Sequence, residues 1–396
     1  MYNIKTLNNI ADSGLKYLKK NEFTIDEVEE NINGILLRSA DMHEYPLDDE
    51  LLAIARAGAG TNNIPIDKCT EKGIAVFNTP GANANAVKEL VLTGILLSSR
   101  KVIEGIEWSK SLRGKENIPQ LVEKGKKQFA GPEIKGKTIG VVGLGAIGVL
   151  VANAAIALGM EVKGFDPYLS VQSALTMNSN IYLSETLESM VSKCDYVTLH
   201  LPLNTHTRAM INDEIFSQMK EGTKLLNFAR GGLVDNDALK RAFESGIIDK
   251  YITDFPDEEI LGLPNIIAIP HLGASTPESE ENCAEMAAIE LKAYLKYGTI
   301  KNSVNFPDCE SLYTGKARIS VIHKNIPNML GLISSVFARE NLNIDNMVNK
   351  SKGDIAYTLV DLDSLDGKSE ELVRELNSVN GVIKTRIVRA STILNS

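Results

Sequence analysis

The 396-residue sequence predicts an α/β protein of nested build, with one doubly wound parallel-sheet unit inserted into another α/β unit and a smaller βαββαβ unit at the C-terminal end. Three observations carry that expectation. Strand-like apolar runs alternate with helical patterns through most of the chain. A glycine turn, Gly143-Leu-Gly145-Ala-Ile-Gly148, begins more than a third of the way along, so a complete α/β unit has room to precede it. The charge balance also shifts late, because residues 316–396 carry eleven basic and nine acidic side chains within a chain whose net charge is −9.

The length exceeds what a single ordinary core fills and points to two or three domains. A hydrophobic content of 43% fits a soluble globular class. The acidic balance argues against nucleic-acid partners and against attachment to acidic membranes. The N-terminus has no apolar signal-like run and the chain no long uncharged one, so neither secretion nor a membrane span is expected. Cys69, Cys194, Cys283 and Cys309 show no CxxC spacing, which fits a reducing cytoplasm, and no metal-ligating cluster is expected.

In the first unit, strands are expected at residues 34–38, 51–57 and 74–77 with acidic helical segments between them, and no phosphate-binding glycine turn. Residues 86–108 form a long helical pattern broken around 98–100. The stretch 110–137 then carries eight basic and three acidic residues, either as solvated surface or as a face toward an anionic substrate.

The central unit is defined by its start. Residues 138–142 read as a buried strand, the glycine turn opens a helix over 146–158, and a strand over 161–165 ends at Asp166, eighteen residues after Gly148. This is a dinucleotide-binding, Rossmann-type unit: glycines let the backbone approach a pyrophosphate, and the helix N-terminus attracts its charge. Asp166 can accept from ribose hydroxyls and would repel a 2′-phosphate, which favours NAD over NADP. Strands at 196–199, 224–227, 251–254 and 266–269 would complete the sheet. Thr276-Pro277, a capping residue followed by proline, starts a helix over 277–297 that returns the chain to the first unit.

The last unit begins after Asn305-Phe-Pro-Asp308 and a turn at Gly315. Its order is strand 317–323, helix 329–340, strands 344–350 and 355–362, helix 369–378 and strand 382–389, a ferredoxin-like split motif. A sheet covered on one side only would pair with another copy, so a homodimer or homotetramer is expected.

Five histidines narrow the chemistry. His43 reads as surface, and His200 and His206 lie just past a strand end, as cofactor contacts or as structural groups. His271, in Pro270-His271-Leu-Gly273-Ala274-Ser-Thr276, stands at the C-terminal end of the last core strand, where open α/β sheets bind ligands. Removing a hydride from a carbinol carbon requires a base for the hydroxyl proton, and imidazole titrates in the right range. Asp257-Glu258-Glu259 precedes it as a source of a carboxylate partner. Arg230, in Asn227-Phe-Ala-Arg230-Gly231-Gly232, offers a planar cation for a substrate carboxylate at another strand end.

These runs resemble the D-isomer-specific 2-hydroxyacid dehydrogenases, over nearly the whole chain. The resemblance rests on Gly143 to Gly148 with Asp166, on Ala229-Arg230-Gly231-Gly232-Leu-Val-Asp235, on Pro270-His271-Leu-Gly-Ala-Ser-Thr276, and in the first unit on Leu37-Arg38-Ser39-Ala40, Arg56-Ala-Gly-Ala-Gly60-Thr-Asn-Asn63 and Asn78-Thr-Pro-Gly81. It implies a flavodoxin-like substrate domain over 1–98 and 280–312, an NAD domain over 99–279 and an ACT regulatory domain over 316–396. It implies Arg230 for substrate carboxylate and oxyanion, His271 as acid/base, and a glutamate beside it. Thr253-Asp254-Phe255-Pro256 departs from the family's Asp-Val-Phe run: ungapped counting from Arg230 selects Glu259, whereas aligning the Phe-Pro pair selects Glu258, and Glu259 is preferred because the intervening helix needs no gap. Cofactor contacts are implied for Gly143, Gly145, Ala146, Ile147, Gly148, Asp166, Phe228, Ala229, Arg230, Asp254, His271, Gly273 and Ala274. Substrate contacts are implied for Arg38, Ser39, Arg56, Ala57, Gly58, Arg230 and His271.

Within the family, the resemblance is to the branch that oxidises 3-phospho-D-glycerate with NAD at the entry to serine synthesis. It implies L-serine as an effector held by His323, Asn325 and Asn343, with Asn328 replacing the family's loop glycine. Residues 98–100 and the return near Asn282 are the hinge candidates for lobe closure. The alternatives are a glyoxylate or hydroxypyruvate reductase and, in a different class, an NAD(H)-sensing regulatory protein of the same fold.

Overall fold

The computed structural model describes residues 1–313, 316–365 and 369–388. The Gly315 turn, and Arg389 with the tail after it, lie outside the described residues. The chain divides into two compact units, Met1–Asn83 with Pro277–Ser396, and Ala84–Thr276.

In the first unit, β1 (Tyr2–Leu7), β2 (Phe23–Ile25), β3 (Gly34–Leu37), β4 (Ala53–Arg56) and β5 (Ala75–Phe77) form a parallel sheet in the order β2-β1-β3-β4-β5. The strands β3 to β5 are short, continuous apolar runs, which the sequence pattern detects. It does not detect β1, whose one fully buried side chain is Ile4, or the three-residue β2. The acidic helices expected between β3 and β4 are absent; turns occupy residues 38–52, where Pro46 and the acids 48–50 favour them and Met42 and Leu51 are buried as anchors. His43 lies in that turn region and contacts Asp41 at 2.6 Å.

The helix Pro277–Tyr297 covers this sheet with Ala284, Ala287, Ala288 and Leu291. Its alanines allow close approach: a Cβ on Gly14 would stand 2.5 Å from the Ala284 carbonyl oxygen.

The second unit holds β6 (Thr138–Val142), β7 (Glu161–Phe165), β8 (Tyr182–Leu183), β9 (Tyr196–Leu199), β10 (Thr223–Asn227), β11 (Ile248–Thr253) and β12 (Ile266–Ala268). All are parallel, in the order β12-β11-β10-β9-β6-β7-β8. The winding reverses between β6 and β9, which makes the crevice beyond their C-terminal ends a ligand site by topology. The helix Ala84–Ser99, expected as the tail of the first domain, belongs to this unit because Val87, Val91 and Ile95 pack with Ile139, Val141 and Leu226. A Cβ on Gly94 would meet the Phe228 ring at 2.9 Å, so glycine sets that contact.

The first unit resumes with β13 (Ala317–Lys324), β14 (Ile344–Lys352), β15 (Ile355–Leu362) and β16 (Val382–Val388), antiparallel in the order β14-β15-β13-β16. The helices Met329–Arg339 and Ser369–Ser378 cover one face, with Ile333, Phe337 and Leu372 buried against Ile319 and Val360. The other face is not left open for a second copy. Ile322, Tyr357 and Leu359 share a buried cluster with Phe77, Leu295 and Phe306, so apolar packing joins this sheet to the first one. Polar ties reinforce the seam. The fully buried Arg318 donates to Asp361 at 2.6 and 2.9 Å and to the carbonyls of Tyr297, Ser311 and Leu312, and Tyr357 donates to the Gly298 carbonyl at 2.7 Å. Among the described residues, no helix is long and apolar enough to cross a membrane.

Candidate active site

The glycine turn follows β6 directly, and its three glycines do different work. Gly143 has φ 90°, and a Cβ there would lie 2.5 Å from the His200 carbonyl oxygen. Gly148 admits none, since its Cβ would meet the Gly143 carbonyl oxygen at 1.9 Å, so helix and strand touch there. Gly145, which caps the helix Ala146–Ala157, has nothing within 4 Å of its absent side chain. That open side, at a helix N-terminus, suits the pyrophosphate of a dinucleotide. Ala146 and Ile147 occupy the helix's first turn.

Asp166 lies one residue past β7. Its two oxygens accept from the backbone N–H groups of Leu144 and Tyr168, each at 2.8 Å, so the carboxylate also pins the glycine turn. His200 follows β9 with its Nε2 3.0 Å from the Thr198 hydroxyl, while its buried Nδ1 has no partner among the described residues. Burial pushes this imidazole down to about 3, so it stays neutral and supplies no charge.

Arg230, Asp254 and His271 follow the C-terminal ends of β10, β11 and β12, three adjacent strands. Phe228 and Ala229 are buried in the turn that carries Arg230. Arg230 is half-buried and donates from Nη1 to the Ala229 carbonyl at 2.7 Å. Asp254 is 1% exposed; Oδ2 accepts from the Gly273 N–H at 3.3 Å, and the buried Oδ1 has no partner among the described residues. Burial raises its pKa above the ordinary carboxyl range, and the neighbouring His271 and Arg230 oppose that rise. His271 is exposed, with its ring stacked obliquely on Phe255 at 4.5 Å between centroids, and Gly273 and Ala274 continue its loop.

The glutamate expectation meets a different geometry. Glu258 and Glu259 are exposed in the first turn of the helix Glu258–Leu261, capped by Asp257, and neither hydrogen-bonds to His271 among the described residues. Glu259 instead accepts from Asn236 at 3.0 Å, and the same amide donates to Asp257 at 3.2 Å. The buried carboxyl on which the His271 and Arg230 charges act is that of Asp254.

In the first unit, β3 and β4 pair Leu37 with Arg56, so Arg38 and Arg56 stand at adjacent C-terminal strand ends. Arg38 is ion-paired with Glu280 at 2.7 Å, both about two-fifths exposed. Arg56 donates to the carbonyls of Arg38 and Gly60, holding the loop of Ala57 and Gly58 around its own guanidinium. Ser39 is exposed, with its N–H on the Asn8 side chain at 3.0 Å. In the C-terminal sheet, His323 is 2% exposed and fully engaged: Nδ1 contacts the Lys324 carbonyl at 2.8 Å and Nε2 the Thr358 hydroxyl at 2.9 Å. Asn325 donates to the Gly353 carbonyl, and Asn343 is exposed. Asn328 adopts φ 68°, the left-handed geometry that asparagine tolerates where the family has glycine.

Sequence reasoning missed Asn227, Asn236 and Asn8. Each is an asparagine beside a strand end or helix start, where its amide serves backbone groups or neighbouring acids. The local Asx signal was available in the sequence for Asn227, whereas Asn236 and Asn8 act on residues far along the chain.

The geometry agrees with what the chain is similar to. Residues 92–273 match the family model of the D-isomer specific 2-hydroxyacid dehydrogenase NAD binding domain, and residues 319–384 match that of the AHAS small subunit-like ACT domain. The D-3-phosphoglycerate dehydrogenase of Haemophilus influenzae is 31% identical, over 97% of this chain and 94% of that protein. A putative D-3-phosphoglycerate dehydrogenase of Schizosaccharomyces pombe is 31% identical over 98% of this chain and 86% of its own length. Among solved structures, the NAD+-bound 3-phosphoglycerate dehydrogenase of Entamoeba histolytica superposes with a TM-score of 0.58 at 25% identity, covering 77% of this chain and 98% of that one. The glycine cradle, the acid after β7 and the Arg, Asp and His at successive strand ends therefore belong to a member of the D-isomer specific 2-hydroxyacid dehydrogenase family.

Proposed function

We propose that the protein oxidises 3-phospho-D-glycerate to 3-phosphohydroxypyruvate with NAD. The observation that carries this reading is the placement of Arg230, Asp254 and His271 at the ends of β10, β11 and β12 in a sheet whose β6 opens the glycine cradle. Bound NAD supplies the hydride acceptor. Arg230 holds the substrate carboxylate and the oxygen at C2, and the His271 imidazole takes the hydroxyl proton as the C2 hydrogen departs with its electron pair. Glu259 is the proposed partner that fixes the imidazole, moving from Asn236 to reach it; hydrogen bonds of this kind are often long before substrate binds. Gly145, Ala146, Ile147 and Asp166 hold the cofactor's pyrophosphate and ribose, and the orphaned Asp254 Oδ1 awaits a donor. Arg38 and Arg56, with Ser39, Ala57 and Gly58, supply the phosphate-end contacts.

An NAD-linked activity screen over 3-phosphoglycerate, glycerate, lactate and 2-hydroxyglutarate tests this reading. Turnover led by 3-phosphoglycerate supports it. A preference for plain hydroxy acids would reassign the protein to the reductase alternative, and cofactor binding without turnover to the regulatory one.

We further propose a cytoplasmic homo-oligomer. Cys69, Cys194, Cys283 and Cys309 are all unpaired thiols. Val102, Ile103, Ile106, Ile118 and Val122 are exposed apolar side chains on neighbouring surface helices, which suits contact with a second copy. Size-exclusion chromatography with light scattering reads the outcome directly. Feedback by L-serine is the proposed role of the C-terminal sheet.

A further inference from the structure

The phosphate end proposed for the first unit already holds a carboxylate of the same chain. Arg38 directly follows β3 and meets Glu280 through Nη1 at 2.7 Å. Glu280 belongs to the first turn of the helix Pro277–Tyr297. Packing brings that turn there: at the opposite end of β3, a Cβ on Gly34 would stand 3.1 Å from Leu291, so the helix runs antiparallel to the strand and its N-terminal turn reaches the C-terminal strand ends. Burial pushes the thiol of Cys283, three residues after Glu280, above its ordinary range, and the charges of both Arg38 and Arg56 oppose that rise, so the two guanidiniums lie near the same turn of the helix.

The two arginines are spent differently. Arg56 is committed to the backbone, with Nε on the Arg38 carbonyl at 2.8 Å and Nη1 on that of Gly60. Arg38 is committed to Glu280, its acidic partner among the described residues, and both side chains are about two-fifths exposed. An ion pair so open to water adds little to stability and exchanges readily. A phosphate monoester carries about two negative charges and engages a guanidinium bidentately, so it displaces a single carboxylate. The charge of the adjacent Glu281 acts on Lys16 instead.

We propose that Glu280 is a specificity-determining residue of the phosphate end: it holds Arg38 in the free protein, competes with the substrate phosphate for that guanidinium, and turns into water when the phosphate binds. Because the phosphate is that of 3-phosphoglycerate, this assignment rests on the proposed function. The competition is selective. It weakens the binding of 3-phosphoglycerate and leaves glycerate, which brings no phosphate to Arg38, unaffected. It also precedes the chemistry, so it raises KM without changing kcat.

Calorimetric titration of the full chain with 3-phosphoglycerate and with glycerate, under saturating NADH so that neither is oxidised, tests the competition. Glu280→Gln and Glu280→Ala bind 3-phosphoglycerate roughly 3- to 10-fold more tightly than wild type and glycerate within about twofold of it. Glu281→Gln removes the same charge one residue away and stays within about twofold for both ligands. Arg38→Gln binds 3-phosphoglycerate at least roughly tenfold more weakly, and adding Glu280→Gln to it changes binding by no more than about twofold. Steady-state rates of the Glu280 variants show the same gain in KM, with kcat within about twofold. Unchanged or weaker binding of 3-phosphoglycerate by the Glu280 variants overturns the competition, as does an equal gain for glycerate, in Glu281→Gln or in the Arg38→Gln background. Thermal melts confirm that each variant is folded; should one Glu280 variant fail, the other decides. Tighter binding by the Glu280 variants without turnover of 3-phosphoglycerate would defeat the proposed reaction alone. Turnover without that gain would defeat the competition alone, and absence of 3-phosphoglycerate binding in every variant would defeat both.

Discussion

The side chain of Asn227 brackets the backbone of Arg230. Its Oδ1 accepts from the Arg230 N–H at 3.4 Å and from that of Ala229 at 3.2 Å, while its Nδ2 donates to the Arg230 carbonyl at 2.9 Å and contacts the Tyr251 hydroxyl at 3.2 Å. At 1% exposure, this amide fixes the turn that aims the guanidinium and ties the end of β10 to β11. Asn227→Asp keeps the acceptor and removes the donor. In that variant kcat/KM falls roughly 10- to 100-fold, mostly through KM, with a smaller change in NAD affinity. Unchanged kcat/KM in the folded fraction would reduce Asn227 to a structural residue.

His271 and the two glutamates separate by kinetics. His271→Asn removes the proposed base, so kcat falls about 10²- to 10⁴-fold while NAD affinity stays within roughly threefold. Glu259→Gln removes the carboxylate proposed to fix the imidazole, so kcat falls about 10-fold or more, whereas Glu258→Gln leaves kcat within roughly twofold. The reverse pattern assigns the role to Glu258, and no loss in either variant leaves Asp254 as the candidate carboxylate.

Gly145 and Gly143 differ in what a side chain costs. Gly145→Val enters open space with an ordinary negative φ, so melting changes little while NAD dissociation strengthens at least roughly tenfold. Gly143→Ala forces a Cβ against the His200 carbonyl at φ 90°, so it lowers stability itself by about 1–3 kcal/mol. Equal melting losses in both would show that the open side of the turn is not reserved for a ligand.

The legible parts of the sequence were those where local pattern and tertiary role coincide. The strands β6, β7, β9 and β15 and the helix Pro277–Tyr297 have the residue limits the pattern expects, because each strand carries apolar side chains between polar boundaries and the helix starts at the Thr276-Pro277 pair. The strand-end positions of Arg230 and His271 were legible because a parallel sheet puts ligand contacts at its C-terminal ends, whereas Asp254 was singled out only by the family resemblance. The covered second face of the C-terminal sheet was not legible. Ile322, Tyr357 and Leu359 read as ordinary strand positions, and only long-range packing on Phe77 and Leu295 reveals their partner. The engagement of Glu259 by Asn236 was equally hidden, since it joins residues 23 apart through side chains alone.

Glu290 sets a pH dependence of stability. It is buried on the helix Pro277–Tyr297, with one oxygen on Asn302 and the other without a partner among the described residues, and burial pushes its carboxyl from 4.5 up to about 8. The folded chain therefore keeps a proton that the unfolded chain releases near 4.5, so stability falls as pH rises across that window and levels off above about 8. A displacement of this size bounds the loss at about 5 kcal/mol. Glu290→Gln keeps the acceptor for Asn302 and cannot ionise, so it loses less stability than wild type between about pH 5 and about pH 9. Urea unfolding of both proteins at the two pH values measures the difference. Parallel losses would mean that the Glu290 carboxyl reaches water in the folded protein, and that Asn302 is not held by a neutral acid.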